Sequence, residues 1–347
     1  MVKVQRKYRI RRFIITFVLK YLYMDRSSLI IAPIIGEMED FKRLFGESLS
    51  SSNLLLQQVI AHIRQKNGKM MRPMLVLLAA KLLDEVKPAT LHAAASLELL
   101  HTASLVHDDV VDDSTERRGQ LSVNALFNNK VAVLAGDYLL ATALVQAGLT
   151  RSLGIVDLIS ALGRELAEGE LLQLSNVRNE KFSEEVYFEV IHKKTAALFA
   201  ACTKAGALSV GADAEKTEFL RRFGEYIGLC FQIRDDIFDY YESKEIGKPT
   251  GNDMLEGKLT LPVLYALNST CDEEASALAV RVKAGKATAD EIARLITFAK
   301  QHGGIEYAIQ KMDNYRDKAL ELLSFAPAND VTDALAAYIN YVVEREK

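Results

Sequence analysis

The chain has 347 residues, 49% hydrophobic and 26% charged, with 19 Gly and only 6 Pro, which excludes a disordered, collagen-like or low-complexity polypeptide. Its three cysteines, Cys202, Cys230 and Cys271, make no C-x-x-C pair, so neither a disulfide framework nor a structural zinc site is expected, and the setting is reducing and cytoplasmic. The net charge is −3, but residues 1–24 hold seven Lys or Arg and no acid, which leaves the rest at −10 and disfavours nucleic acid as its partner.

Taken in chain order, that basic extension comes first. Its apolar run Phe13–Leu19 is too short to span a bilayer, lacks a small-residue cleavage site and is broken by Lys20. Three readings stand side by side: an amphipathic helix at the inner membrane face, a disordered tail, or sequence ahead of a natural start at Met24. The main domain is then 25–347. From about Ile35 onward the hydrophobic period is helical, and helices are predicted over 53–67, 72–84, Ala89–Asp113, 131–148, 155–177, 184–209, 214–243, 287–302, 304–323 and 329–345. Pro88 precedes a stretch to Asp113 that contains neither Gly nor Pro. The turn-rich loop is Ile246–Asp253. The expected class is all-α, a single large helical bundle.

Two acidic clusters interrupt these apolar helices. Asp108-Asp109-Val110-Val111-Asp112 sets carboxylates at i, i+1 and i+4, within about 100° of a helix circumference. Asp235-Asp236-Ile237-Phe238-Asp239 repeats the spacing. A lone D-D-x-x-D is as readily a solvated helix end as a site, whereas two matched clusters in apolar contexts call for a cation. Oxygen ligands without nearby Cys select a hard ion, and Mg²⁺ shared with ligand phosphates fits best. Cations gather near the clusters: Lys69 and Arg72, Arg117 and Arg118, Lys193 and Lys194, Lys248 and Lys258. Each alone is more often a surface charge, but together with the acids they suggest a diphosphate, and the apolar bundle suggests a hydrophobic tail on it.

The motifs G-K-x-x-R-P at 68–73, Glu98-Leu99-Leu100-His101-Thr102, the two acidic clusters, Arg117-Arg118-Gly119, Gly136-Asp137, Lys194-Thr195-Ala196, Phe231-Gln232-Ile233-Arg234 and Gly247-Lys248-x-x-Gly251-x-Asp253 resemble the trans-isoprenyl diphosphate synthases, the polyprenyl synthetase family, over residues 35–347. Met70 departs from the pattern, where many relatives carry Arg. The resemblance implies antiparallel helices around a deep cavity, usually a homodimer, with the acidic motifs facing each other across its mouth. It implies that Asp108, Asp112 and Asp235 ligate Mg²⁺, about three ions per site, with Asp109, Asp236 and Asp239 supporting. Arg117, Lys194, Gln232 and Lys258 would hold the allylic diphosphate, farnesyl or geranyl, with Thr195 and Lys248 nearby. Lys69, Arg72, His101 and Arg118 would hold isopentenyl diphosphate. Ala103, from the resemblance, and Ser104, one turn or about 5.4 Å below Asp108, are small chain-length positions that imply an all-trans product of about C30 to C50, with C40 favoured.

Other chemistries fit less of the sequence. Glu98–His101 and Glu189–His192 both give the Glu-x-x-His of a di-iron bundle, which leaves six aspartates and the cations unexplained. A terpene cyclase would carry a different second metal motif, a non-catalytic subunit would have lost acids from the motifs, and a shorter-chain farnesyl or geranylgeranyl synthase differs only in where elongation stops. His62, His92 and His302 carry no partner pattern.

Overall fold

Proline and short polar side chains set the helix starts. A computed structural model describes residues 26–65, 68–117, 119–176, 182–241 and 250–345. The extension 1–24, Arg118 and Lys248, to which the sequence assigns roles, lie outside the described residues. Of the described residues 80% are helical, as the periodicity requires. In order the helices are α1 (Arg26–Ile31), α2 (Ile35–Ser48), α3 (Leu54–Gln65), α4 (Met71–Leu83), α5 (Pro88–Val111), α6 (Val123–Leu126), α7 (Asn129–Leu149) and α8 (Leu153–Asn176). There follow α9 (Glu184–Ile191), a π-helical turn His192–Ala196, α10 (Ala197–Ser209), α11 (Ala214–Phe238), α12 (Asn252–Leu255), α13 (Leu261–Thr270), α14 (Glu273–Lys283), α15 (Ala289–Gln301), α16 (Gly304–Leu323) and α17 (Asp330–Glu344). A two-residue antiparallel pair, β1 (Glu116–Arg117) and β2 (Gln120–Leu121), forms the one hairpin among the described residues.

Side-chain oxygens satisfy the free N–H groups of several first turns. Asn128 accepts from Val131 N–H at 3.0 Å, Ser183 from Val186 at 3.1 Å and Asp272 from Ala275 at 2.8 Å. At α15 Thr288 and Glu291 bond each other's backbone N–H reciprocally, a capping box. Pro88 and Pro262 open α5 and α13, where a missing N–H costs nothing.

The chain divides into two compact units. The first comprises residues up to Gly163 with Leu198–Gly224 and Ala326–Ala337. Its core is α4, whose residues Leu75–Ala80 are fully buried, and α5, which packs on α4 and α7. Gly206 of α10 lets that helix close on α4, because a Cβ there would stand 2.5 Å from the Val76 carbonyl oxygen and 2.8 Å from Ala79 Cβ. The second unit, Arg164–Ala197, Glu225–Phe325 and Tyr338–Lys347, packs α13 on α15 and α16. Gly304 permits that approach, with a Cβ position only 2.2 Å from the Pro262 carbonyl oxygen.

Several expectations are revised. The stretch 184–209, expected as one helix, contains the π turn at 192–196. The helix predicted over 214–243 ends at Phe238, where Asp239 turns its carboxylate to the first N–H groups of α12. That short helix occupies Asn252 and Asp253, read from sequence as loop. Helices α1, α2, α6, α13 and α14 are additional to the predicted set, because short length or mixed composition blurs their period. Asp112 and Asp113 fall after the end of α5, with Asp113 at φ 49°. Cys202 and Cys230 are buried and Cys271 exposed, all three as free thiols.

Candidate active site

In both acidic clusters the second aspartate is turned inward. Asp109 is 2% exposed, and both its oxygens accept from Arg117 Nε, at 2.8 and 2.9 Å. Burial nevertheless pushes its carboxyl up, with Arg117 opposing and Asp112 adding to the rise. Asp236 is 3% exposed and accepts from the Tyr187 hydroxyl at 2.6 Å and from Gln232 Nε2 at 2.8 Å. Desolvation, reinforced by Asp235 and Asp239, raises its carboxyl to about 7. The first and third positions stay closer to water: Asp108 is half-buried, Asp112 exposed, and Asp235 and Asp239 half-buried. Asp235 meets Arg345, whose guanidinium also lies 3.9 Å from the centre of the Phe231 ring. Asp239 accepts from the backbone N–H groups of Asn252 and Asp253 at 3.0 and 3.1 Å.

The first unit holds a cavity of about 890 Å³, counted to its open mouth, lined by Leu99, Thr102, Leu105 and Leu139 on the apolar side and by Glu98, His101, Asp109 and Arg117 on the polar side. Gly68 and Met70 border it from the G-K-x-x-R-P segment, with Met70 in left-handed backbone (φ 51°) ahead of α4. Lys69 is exposed there. Arg72 lies 5.2 Å above the Phe199 ring, and its buried Nε has no hydrogen-bond partner, which suits an anion binder. Ala103 is buried, the Ser104 hydroxyl returns to the His101 carbonyl at 2.8 Å, and neither lines this cavity.

The second unit holds a cavity of about 910 Å³ that gathers Lys194, Thr195, Gln232, Asp236 and Lys258. Lys194 is held by Glu170 and by Gln173 Oε1 at 3.1 Å, and Thr195 donates to Gln232 Oε1 at 2.7 Å. Among the lining residues without a sequence assignment as site residues are Tyr187, Lys283 and, beyond its place in a motif, Asp253. Burial and the neighbouring Asp236 and Asp239 drive the Asp253 carboxyl well above its ordinary range, while burial lowers Lys283, which is 6% exposed. The i, i+3 pair Glu170 and Gln173 on α8 was the available signal for the cradle of Lys194. Nothing local marked Lys283, the last residue of α14.

The di-iron reading loses its ligands. Both ring nitrogens of His192 face carboxylates, Glu165 at 3.4 Å and Glu225 at 3.1 Å, while Glu189 pairs with Lys193 at 3.7 Å. The fit of Mg²⁺ rests on the crowding of Asp235 and Asp239 around the buried Asp236, and of Asp236 and Asp239 around Asp253, which raises the proton affinity of Asp236 and Asp253 and so favours a cation. Among the described residues no three such side chains form a ready-made cage, and Mg²⁺ needs none, since it keeps waters and phosphate oxygens in its shell.

Paired acidic motifs and a lysine-lined cavity on apolar helices define a helical enzyme that handles diphosphates. Residues 53–298 match the family model described as polyprenyl synthetase. The chain is 34% identical to octaprenyl diphosphate synthase of Escherichia coli strain K12 over 302 residues, 87% of this chain and 93% of the relative. The crystal structure of geranylgeranyl pyrophosphate synthase from Bacteroides thetaiotaomicron matches with a TM-score of 0.83 at 60% identity, over 93% of this chain and 100% of that one. Polyprenyl synthase from Caulobacter crescentus CB15, complexed with calcium and isoprenyl diphosphate, matches with a TM-score of 0.86 at 33% identity, over 92% and 98%. The chain belongs to the polyprenyl synthetase family and is a prenyltransferase acting on isoprenyl diphosphates. The family is metal-dependent.

The Asp236 carboxyl binds its proton more tightly in the folded protein, at about 7, than its ordinary value of 3.8 allows in the unfolded chain. Its contribution to stability is therefore complete at low pH and is lost as pH climbs toward about 7. Melting temperatures in EDTA should fall between about pH 4 and 7, the fall should be shallower in Asp236→Asn, and Mg²⁺ should restore the wild type at the upper pH. Parallel pH profiles for the two proteins would remove this assignment.

Proposed function

We propose that the enzyme condenses isopentenyl diphosphate head-to-tail with an allylic diphosphate, farnesyl or geranyl, in the presence of Mg²⁺, to give an all-trans polyprenyl diphosphate of about C30 to C50, with C40 favoured. The observation that carries the reaction is the second cavity, where Lys194, Thr195, Gln232 and Lys258 converge beside the buried Asp236. Asp108 and Asp112 of the first motif and Asp235 of the second, with Asp239 in support, would hold Mg²⁺, which would neutralise charge on the diphosphate oxygens. Lys194 and Lys258 hold the leaving diphosphate as its C–O bond ionises. Tyr187 and Gln232 fix Asp236, and Arg117 fixes Asp109, so the outer aspartates keep their geometry. Lys69, Arg72 and His101 hold isopentenyl diphosphate, whose double bond is alkylated by the allylic cation. The released diphosphate then takes the proton, and no covalent enzyme intermediate is required.

The small side chains of Ala103 and Ser104 support a long product, as the family resemblance implies, although neither lines the first cavity. The octaprenyl synthase of E. coli, similar over most of the chain, supports the same length. A second reading, a C20 product, rests on the 60% identity to geranylgeranyl pyrophosphate synthase from Bacteroides thetaiotaomicron. A homodimer is part of the proposal. It is supported by α7, which leaves Leu134 68% and Val145 60% exposed, with Val133, Leu144 and Leu149 beside them. Alone among the described residues, α7 is also long and apolar enough to cross a membrane, which an apolar face awaiting a second copy explains equally well. A cytoplasmic location, with residues 1–24 touching the inner membrane face, completes the reading and is supported by the free thiols.

Asp108→Ala and Asp235→Ala should each lower Mg²⁺-dependent consumption of isopentenyl diphosphate by about 10³-fold or more. Near-wild-type turnover in either would sink the metal assignment. Ala103→Tyr or Ser104→Phe, beside or one turn (about 5.4 Å) below Asp108, should shift products from about C40 to about C15 to C20 on chromatography. Unchanged lengths in both variants, or a wild type that already stops at C20, would refute the long-chain reading. Light scattering should find a dimer that becomes monomeric in the double variant Leu134→Glu, Val145→Glu, and a monomeric wild type would refute the dimer.

A further inference from the structure

The π turn His192–Ala196 is an uncommon element, because widening a helical turn by one residue weakens its backbone bonding and must be held from outside. Four successive side chains hold it here. His192 bridges Glu165 of α8 and Glu225 of α11, with Nδ1 3.4 Å from Glu165 Oε1 and Nε2 3.1 Å from Glu225 Oε1. Lys193 reaches Glu168 at 3.2 Å, Lys194 reaches Glu170 and Gln173, and Thr195 reaches Gln232. Gly169 of α8 makes room, because a Cβ there would meet Lys193 Cβ at 2.7 Å and Lys194 Cγ at 3.0 Å.

These contacts differ in kind. Lys194 and Thr195 line the second cavity. The links made by His192 point away from it, since neither Glu165 nor Glu225 lines that cavity. Nε2 lies within hydrogen-bond reach of Glu225 and Nδ1 within ion-pair distance of Glu165, so one ring links α8 to α11 through the turn. The opposed placement of the two carboxylates also excludes one metal ion shared by all three groups, because a single ion reaches one ring nitrogen.

We propose that His192 is a positioning residue for the diphosphate: by bridging Glu165 and Glu225 it fixes the π turn, so that Lys194 and Thr195 meet the anion without having to be ordered by it. The inference rests on the proposed reaction at that cavity. Its role is specific, in that isopentenyl diphosphate is held by Lys69, Arg72 and His101 of the other unit. Loss of the bridge should therefore weaken one substrate and spare the other.

The test compares wild type with His192→Phe, with His192→Arg, which keeps charged donors, and with Glu165→Gln, Glu225→Gln, which keeps the ring and removes its acceptors' charge. Calorimetric titration with inorganic diphosphate and Mg²⁺ should show affinity reduced about tenfold in His192→Phe, and by a comparable factor in the double variant, with about threefold of wild type regained by His192→Arg. The KM for the allylic diphosphate should rise in step, while that for isopentenyl diphosphate stays within about twofold. Wild-type diphosphate affinity in His192→Phe, or equal losses for both substrates, would overturn the proposal. If His192→Phe fails to fold, wild-type affinity in the folded double variant overturns it equally. A wild type that binds diphosphate but consumes no isopentenyl diphosphate refutes the reaction and leaves the affinities to decide the role of His192.

Discussion

A carboxylate turned into an apolar helix bundle must find donors or give up its charge, and the arrangement of both acidic motifs follows from that constraint. In each D-D-x-x-D run the middle acid is the one submerged. Asp109 finds a guanidinium, and the pair fixes the hairpin that carries Arg117 to the end of α5. Asp236 finds a phenol and an amide, both neutral, so its charge stays uncompensated and its proton affinity rises. The contrast divides each motif: the inner acid organises structure, and the flanking acids stay closer to water.

The same constraint organises the surroundings of the second motif. Tyr187 belongs to α9, Gln232 to α11, and the N–H groups that hold Asp239 to α12, so three elements converge on one cluster of carboxyls. Helix α11 ends where Asp239 is captured, and α12 begins where its first N–H groups find that acid. Lysines enter this frame from the π turn and from Lys258, whose own N–H donates to the Asp253 carbonyl at 2.7 Å.

The sequence showed most plainly what lies close together along the chain. The D-D-x-x-D runs, the Lys194-Thr195 pair and the G-K-x-x-R-P segment are contiguous, and their chemistry needs no fold to be suspected. Helix periodicity likewise located most elements, because an apolar stripe is a local property. The partner of Asp236 was illegible, since Tyr187 stands 49 positions away and resembles any core tyrosine until the fold joins them. The π turn was illegible too: His192-Lys193-Lys194-Thr195 is helix-compatible by propensity, and only distant glutamates distort it. Which aspartate of each pair points inward depends on helix rotation against neighbours, which spacing alone leaves open.

The three cysteines divide by environment in a way that bears on handling. Burial raises the Cys202 thiol to about 12 and drives that of Cys230 higher still, so both stay protonated and shielded from electrophiles and peroxide. Cys271 instead sits exposed in left-handed backbone just after α13. In the native protein, maleimide or a paramagnetic tag is therefore directed to one position. Oxidative cross-linking between molecules has the same single point of attachment, and Cys271→Ser removes it while leaving both buried thiols in place.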